Sequence, residues 1–284
     1  MFLDNKKPLA KVFRLLLYIF SLIGLIFVLV FFAMQFGLLN VKGAISQRNS
    51  YFEINKDFNL DTINKKENIS SWKDTSEWNL LREVFTRDQE VINRAAQDAG
   101  ISPRFILGGV IGEQLRFFSS RRESFKNYFE PLKILASLSK FSFGIAGLKP
   151  QTVSLIDEHL KDDESVFYLG ADMENITNYT LGINIDSEIM NRITNTKDPY
   201  YSYLYVGLYM RQVIAQWQRA GYDISGRPEI LATLYNLGFN RSIPKADARS
   251  GGAMINVGGI EYSFGDLAYE FYYSTELSDI FLLD

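Results

Sequence analysis

The longest apolar run of the chain, Leu15 to Leu39, holds 25 residues without a charged side chain. As a helix it would be about 37 Å long, which is enough to cross a bilayer with some tilt. Four basic residues precede it: Lys6, Lys7, Lys11 and Arg14. The positive-inside rule therefore predicts a cytoplasmic N-terminus at residues 1–14, a transmembrane helix at 15–39 and an exported remainder. A cleaved signal peptide is the alternative, but its apolar core is only roughly 7 to 15 residues long, so we favour an uncleaved signal anchor.

The rest of the chain divides into a polar segment and a helical domain. Residues 40–76 are rich in Asn, Lys, Asp and Ser without a sustained apolar period, which is typical of a tether. In residues 77–284 apolar side chains recur at the three- and four-residue spacing of a helix face. Starts and stops at Pro, Ser and Gly predict helices at 77–99, 103–118, 151–161, 164–178, 186–194, 199–220, 228–238 and 264–277, and a short one after Pro131. Strand signals are weak and the glycine-rich stretch 241–259 is predicted to be a surface loop, so we expect a mainly α fold.

One acidic residue lies on an apolar helix face. The stripe of the helix predicted at 103–118 comprises Ile106, Val110, Glu113 and Phe117. Burial disfavours the charged form of a carboxyl, so Glu113 is expected to have a raised pKa and could serve as a general acid. The alternative is a structural acid that pairs with Arg116.

Three glycines on the same helix, Gly108, Gly109 and Gly112, each cost about 1 kcal/mol of helix propensity relative to Ala. Close backbone packing, or room for a ligand, would offset this cost.

Composition narrows the chemistry of the domain. With 284 residues and 47% hydrophobic content, the chain can bury a large core. It contains no cysteine and a single histidine, His159, in a polar stretch that resembles a solvated helix end. Disulfides, thiolate catalysis, a zinc site and a serine–histidine triad are therefore not expected, and we predict neither metal nor cofactor.

The charge of the exported part argues against nucleic acid as a partner. Five of the 30 Lys and Arg residues and one of the 33 Asp and Glu residues lie in positions 1–44, so the remainder has a net charge of about −7. Such a surface does not attract polyanions by bulk charge, and a bound polymer would be held by local contacts in a cleft.

Three segments, read in order, resemble the lysozyme-like domain of lytic transglycosylases, which are relatives of goose-type lysozyme. Residues 101–103, Ile-Ser-Pro, lead through an apolar helix to Glu113, which is similar to the helix of the family's catalytic glutamate. Residues 142–152, Ser-Phe-Gly-Ile-Ala-Gly-Leu-Lys-Pro-Gln-Thr, are similar to its serine and glycine turn. Residues 232–238, Ala-Thr-Leu-Tyr-Asn-Leu-Gly, are similar to its Ala-x-x-Tyr-Asn-x-Gly signature. The resemblance covers roughly residues 78–245.

The resemblance implies cleavage of the β-1,4 bond between N-acetylmuramic acid and N-acetylglucosamine in peptidoglycan glycan strands. Glu113 would act as the single acid and base, and the product would carry a 1,6-anhydro ring. The resemblance also implies that Ser142 and Gly144 line the sugar subsite, that Tyr235 hydrogen-bonds or positions Glu113, and that Asn236 holds the loop.

Two positions depart from the family pattern. Gln114 follows the acid where the family usually has serine, and Gly147 stands where it usually has glutamine.

The first alternative to a lytic transglycosylase is a muramidase of the lysozyme type, a hydrolase in which Glu123 or Glu130 activates water. The second is a catalytically silent module that binds glycan or scaffolds an envelope-spanning protein complex.

Overall fold

The computed structural model describes residues 6–35, 71–119 and 144–283, and within these the side chains of 14–29, 71–116 and 144–283. This part of the chain is 61% helical, which confirms the mainly α fold class. Its helices are α1 (Lys6–Gln35), α2 (Ser76–Arg87), α3 (Gln89–Ala99), α4 (Pro103–Ser119), α5 (Pro150–Lys161), α6 (Ile185–Thr194), α7 (Tyr200–Arg219), α8 (Pro228–Leu237) and α9 (Phe264–Tyr272). Strands β1 (Met254–Val257) and β2 (Ile260–Ser263) form an antiparallel hairpin, with Met254 opposite Ser263.

Helix α1 begins before the predicted membrane span and covers it as far as Gln35. The remaining positions, 36–39, and most of the predicted tether lie outside the described residues. Over the described residues, no helix combines the length and the apolar character needed to cross a membrane.

The domain begins a few residues earlier than the sequence predicts. Trp72 lies in a short 3-10 helix and is fully buried, with its ring centroid 4.8 Å from that of Trp78. Its indole nitrogen donates to Oε2 of Glu270, a residue of α9, at 2.9 Å. The last residues of the predicted tether therefore belong to the folded domain.

Two central helices, α4 and α7, organise the core. Helix α7 packs against α3, α4, α5, α6 and α8, and helix α4 also contacts α2, α3, α8, α9 and β1. The glycines of α4 make this proximity possible: a Cβ on Gly112 would lie 2.6 Å from Cδ1 of Phe264, and one on Gly109 2.8 Å from Cε of Met210. Close packing thus offsets the helix-propensity cost of these glycines.

Four sequence predictions about secondary structure were wrong. The helix predicted at 77–99 is two helices, because the chain turns at Asp88, which accepts a hydrogen bond from Tyr203 Oη at 2.9 Å. Residues 164–178 form turns and a 3-10 helix, with Gly170 at a φ of 108°. The stretch 241–259 contains β1 of the hairpin, and the last helix ends at Tyr272.

Arg104 explains where the last helix ends. Its guanidinium is fully buried and donates to the carbonyl oxygens of Phe271 at 2.7 Å and Ser274 at 3.1 Å. Three further carbonyls, those of Tyr272, Glu276 and Phe281, accept from the same side chain. Arginine is an effective cap here because carbonyls at a helix C-terminus lack intrahelical donors.

His159 is not at a solvated helix end, as the sequence pattern suggested. Its ring is partly buried, with its centroid 4.6 Å from that of Phe167 and 5.0 Å from that of Phe239. Its Nδ1 lies 2.9 Å from the hydroxyl of Ser165, and burial lowers the pKa of this histidine. The ring is therefore a packing residue of the core.

Candidate active site

Four parts of the fold converge around Glu113. The acid lies in the second half of α4, and the loop at residues 144–149 passes beside it. Helix α8 carries Tyr235 and Asn236, and the chain that enters β1 contacts Asn236. The three segments that carry the family resemblance therefore meet in space wherever the structure describes them.

Glu113 is buried, with 5% of its surface exposed. Desolvation raises its pKa from the usual 4.5 to about 8, although a hydrogen bond with Asn236 and the positive charge of Lys149 lower it. The dominant cause is the one that the apolar stripe of α4 predicts, because removal from water penalises the charged carboxylate. At neutral pH the acid form therefore prevails.

Arg116, one turn further along α4, contacts the same carboxyl. Its Nη2 lies 3.3 Å from Oε2 and 3.5 Å from Oε1 of Glu113. This is the contact with Arg116 that the structural alternative for Glu113 predicts. The Glu113 side chain is buried, with 5% of its surface exposed, and the Arg116 side chain is partly buried, with 17% exposed.

Gly147 lies directly against the acid. Its φ is 63°, and a Cβ built on it would lie 2.8 Å from Oε2 of Glu113. A residue with a side chain would meet both a strained backbone conformation and the carboxyl. The glycine found where the family usually has glutamine therefore lets the loop pass next to Glu113.

Gly144 serves the loop itself. Its φ is 69°, and a side chain there would overlap the carbonyl oxygen of Ile193 at the end of α6. The structure thus gives this residue a backbone role at the start of the loop. Its predicted partner in the sugar subsite, Ser142, lies outside the described residues.

Tyr235 lies close to Glu113 but directs its hydroxyl to the loop. The hydroxyl donates to the carbonyl oxygen of Ala146 at 2.6 Å, and this hydrogen bond ties α8 to the loop beside Glu113. Burial and the nearby charge of Glu113 raise the pKa of Tyr235 well above its ordinary value.

Asn236 connects two parts of the site. It hydrogen-bonds Glu113, and its Oδ1 accepts from the backbone N–H of Ala253 at 2.9 Å, next to β1. Asn236 thus links the acid to the chain that enters β1.

Gln114 ties the acid-bearing helix to the loop. The side chain is buried, and its Nε2 donates to the carbonyl oxygen of Ile145. This hydrogen bond gives a physical reason for glutamine where the family usually has serine, because the longer side chain reaches the loop backbone.

Sequence reasoning missed Lys149, whose charge acts on Glu113, and Phe264, which supports Arg116. The guanidinium carbon of Arg116 lies 5.4 Å from the centroid of the Phe264 ring. The i,i+3 spacing of Glu113 and Arg116 indicated their contact, whereas no local sequence pattern predicts the contacts of Lys149 or Phe264.

Glu123 and Glu130, the candidates for a second carboxylate, lie outside the described residues.

Groups of three or more His, Asp or Glu side chains that could hold a metal ion do not occur within the described part of the chain. Comparison with known proteins adds no independent support for the family resemblance. No family model, curated protein or solved structure matches this chain.

Proposed function

We propose that the domain is a peptidoglycan lytic transglycosylase in which Glu113 is the general acid and base. The observation that carries this proposal is a carboxyl that is 5% exposed, has a pKa raised to about 8 and lies against a glycine loop. One pH unit below its pKa an acid is about 90% protonated, so Glu113 could donate a proton at neutral pH.

The proposed chemistry needs a single carboxyl. Glu113 donates its proton to the glycosidic oxygen while the bond from that oxygen to C1 of N-acetylmuramic acid breaks, and the bonding electron pair leaves with the oxygen. The carboxylate then accepts the proton of the sugar's 6-hydroxyl as that oxygen bonds to C1. The 1,6-anhydro ring closes, and the acid is regenerated without water.

The neighbours of Glu113 fit these two roles. Desolvation keeps the proton on the acid before donation, whereas the hydrogen bond with Asn236 and the charge of Lys149 favour the carboxylate afterwards. Tyr235, bonded to Ala146, would fix the loop that borders the reacting sugar.

The products distinguish cleavage by transglycosylation from hydrolysis. We would digest peptidoglycan with the purified full chain in water enriched in oxygen-18 and analyse the fragments by mass spectrometry. The proposal predicts anhydro ends, lighter than reducing ends by one water and free of the label. Labelled reducing ends would identify a muramidase instead. Glu113→Gln should remove the activity, and the exposed Glu90→Gln on α3 is the matched control.

A second candidate function is the catalytically silent module that binds glycan or scaffolds an envelope complex. The contact with Arg116 favours this candidate, because it would neutralise a charged Glu113. Gly147 also favours it, because the glutamine side chain usual in the resembled family is missing at this position. Intact glycan at high protein concentration, together with retention of the protein on peptidoglycan in a pelleting assay, would support this candidate.

We further propose that α1 anchors the domain as an uncleaved signal anchor with the N-terminus in the cytoplasm. The charge-free run from Leu15 to Leu39 and the basic residues before it support this placement. Alkaline carbonate extraction should leave the chain in the membrane fraction at its full length. Release into the supernatant would exclude the anchor, and a shortened chain would indicate cleavage.

A further inference from the structure

The contact between Arg116 and Glu113 is looser than that of the buried pair formed by Arg192 and Glu188. Its shortest nitrogen–oxygen distance is 3.3 Å, whereas Arg192 and Glu188 approach to 2.6 Å. Charge-assisted hydrogen bonds between such groups ordinarily measure about 2.7 to 2.9 Å. The contact between Arg116 and Glu113 therefore leaves room for the guanidinium to move closer to the carboxyl.

The guanidinium is nevertheless held in place. One nitrogen, Nη2, faces both carboxyl oxygens of Glu113, and the ring of Phe264 lies under the cation. Phe264 is itself fully buried and packs against Gly112 one residue before the acid. Arg116 is therefore close enough to tighten onto Glu113 without rearrangement of the helix.

We propose that Arg116 is a positioning residue that stabilises the Glu113 carboxylate in the interval between its two proton transfers. The inference rests on the proposed function. When Glu113 gives its proton to the leaving oxygen, the new negative charge draws Nη2 closer, and the N–H of Arg116 donates to it. When the 6-hydroxyl returns a proton to Glu113, the contact lengthens again. Arg116 neither gains nor loses a proton in the cycle.

Other groups around the acid act differently. Lys149, from the loop, lowers the pKa of Glu113 through its charge, and Asn236, from α8, does so through a neutral hydrogen bond. The hydroxyl of Tyr235 donates to Ala146. Arg116 combines a full charge with N–H groups directed at both carboxyl oxygens, and this combination favours the charged form of Glu113.

The test compares Arg116→Met and Arg116→Lys with wild type. Arg82→Met, an exposed arginine of α2, is the matched control. In the full chain labelled with carbon-13 at the glutamate carboxyls, the Glu113 resonance is identified by its loss in Glu113→Gln and titrated with pH. The same variants are assayed for anhydro product over a pH series.

The proposal predicts that Arg116→Met raises the pKa of Glu113. The pH at which kcat falls on the alkaline side of its pH profile should rise by the same amount. The proposal also predicts that kcat falls about ten- to hundredfold, the range for loss of one hydrogen bond to a charged group, while KM stays within about twofold. Arg116→Lys should restore part of both effects, and Arg82→Met should match wild type.

An unchanged Glu113 pKa in Arg116→Met would overturn the proposal. So would a raised pKa without any change in kcat or in its pH profile, because the contact would then be structural only. Failure of the proposed function gives a different result, because wild type itself would then release no anhydro product. That result would also refute the proposed role of Arg116, whatever the titration of Glu113 shows.

Discussion

Replacing Glu113 with glutamine should make the pH dependence of stability flatter, whatever the function of the site. The folded protein holds this proton with a pKa of about 8, whereas an unfolded glutamate has a pKa near 4.5. Between these values the folded state binds a proton that the unfolded state has released. The free energy of unfolding of wild type therefore falls as pH rises through this window, and the stabilising contribution is complete only below the unfolded value.

The size of the effect follows from the two pKa values. Each pH unit between them corresponds to about 1.4 kcal/mol, so 4.5 and about 8 imply a loss of the order of 5 kcal/mol across the window. Glutamine cannot ionise and keeps the same volume, so Glu113→Gln lacks this loss. Any constant cost of placing an amide beside Arg116 cancels when the slopes with pH are compared.

Urea unfolding followed by tryptophan fluorescence suits this measurement, because the chain's three tryptophans, Trp72, Trp78 and Trp217, are all buried in the domain. The difference between wild type and Glu113→Gln should grow in favour of the variant from about pH 4.5 to about pH 8.5. Glu90→Gln, at an exposed position, should show no such trend. A difference that stays constant within about 0.5 kcal/mol would refute the raised pKa of Glu113.

Three further predictions follow from other contacts of the domain. Arg104→Met should lower the free energy of unfolding by about 3 to 5 kcal/mol in urea, because buried carbonyls lose a charged donor; a loss below about 1 kcal/mol would contradict this. Gly112→Ala should cost about 1 to 3 kcal/mol through overlap with an aromatic ring, whereas Gly226→Ala, with open space around its Cβ, should not, and equal costs would contradict the packing. Asn236→Leu should raise the pKa of Glu113 in a carbon-13 titration, and a lowered or unchanged value would contradict the hydrogen bond between them.

Much of the helical framework follows from local sequence signals. The starts of α4, α5 and α8 coincide with a proline at the first helical position, and α3 ends just before Gly100, its C-cap, which has a φ of 69°. The errors lie where distant contacts decide. The break at Asp88 depends on Tyr203, and the end of α9 depends on Arg104, neither of which is near in the sequence.

The candidate site could be predicted in part. The apolar stripe of α4 was enough to predict the burial of Glu113, because helix periodicity places it toward the core. The target of the Tyr235 hydroxyl and the approach of Gly147 to the acid could not be predicted, since both depend on how the loop packs against α4 and α8. The same holds for Lys149.

The role of Glu113 as general acid and base is tested most directly by the products that the purified full-length protein releases from peptidoglycan. These products are analysed by mass spectrometry for wild type and for Glu113→Gln. The proposed mechanism predicts 1,6-anhydro-muropeptides from wild type and an activity at least about a hundredfold lower in the variant, as expected when the general acid and base is removed. Equal activity of the two proteins, or intact glycan from wild type at high protein concentration, would contradict it.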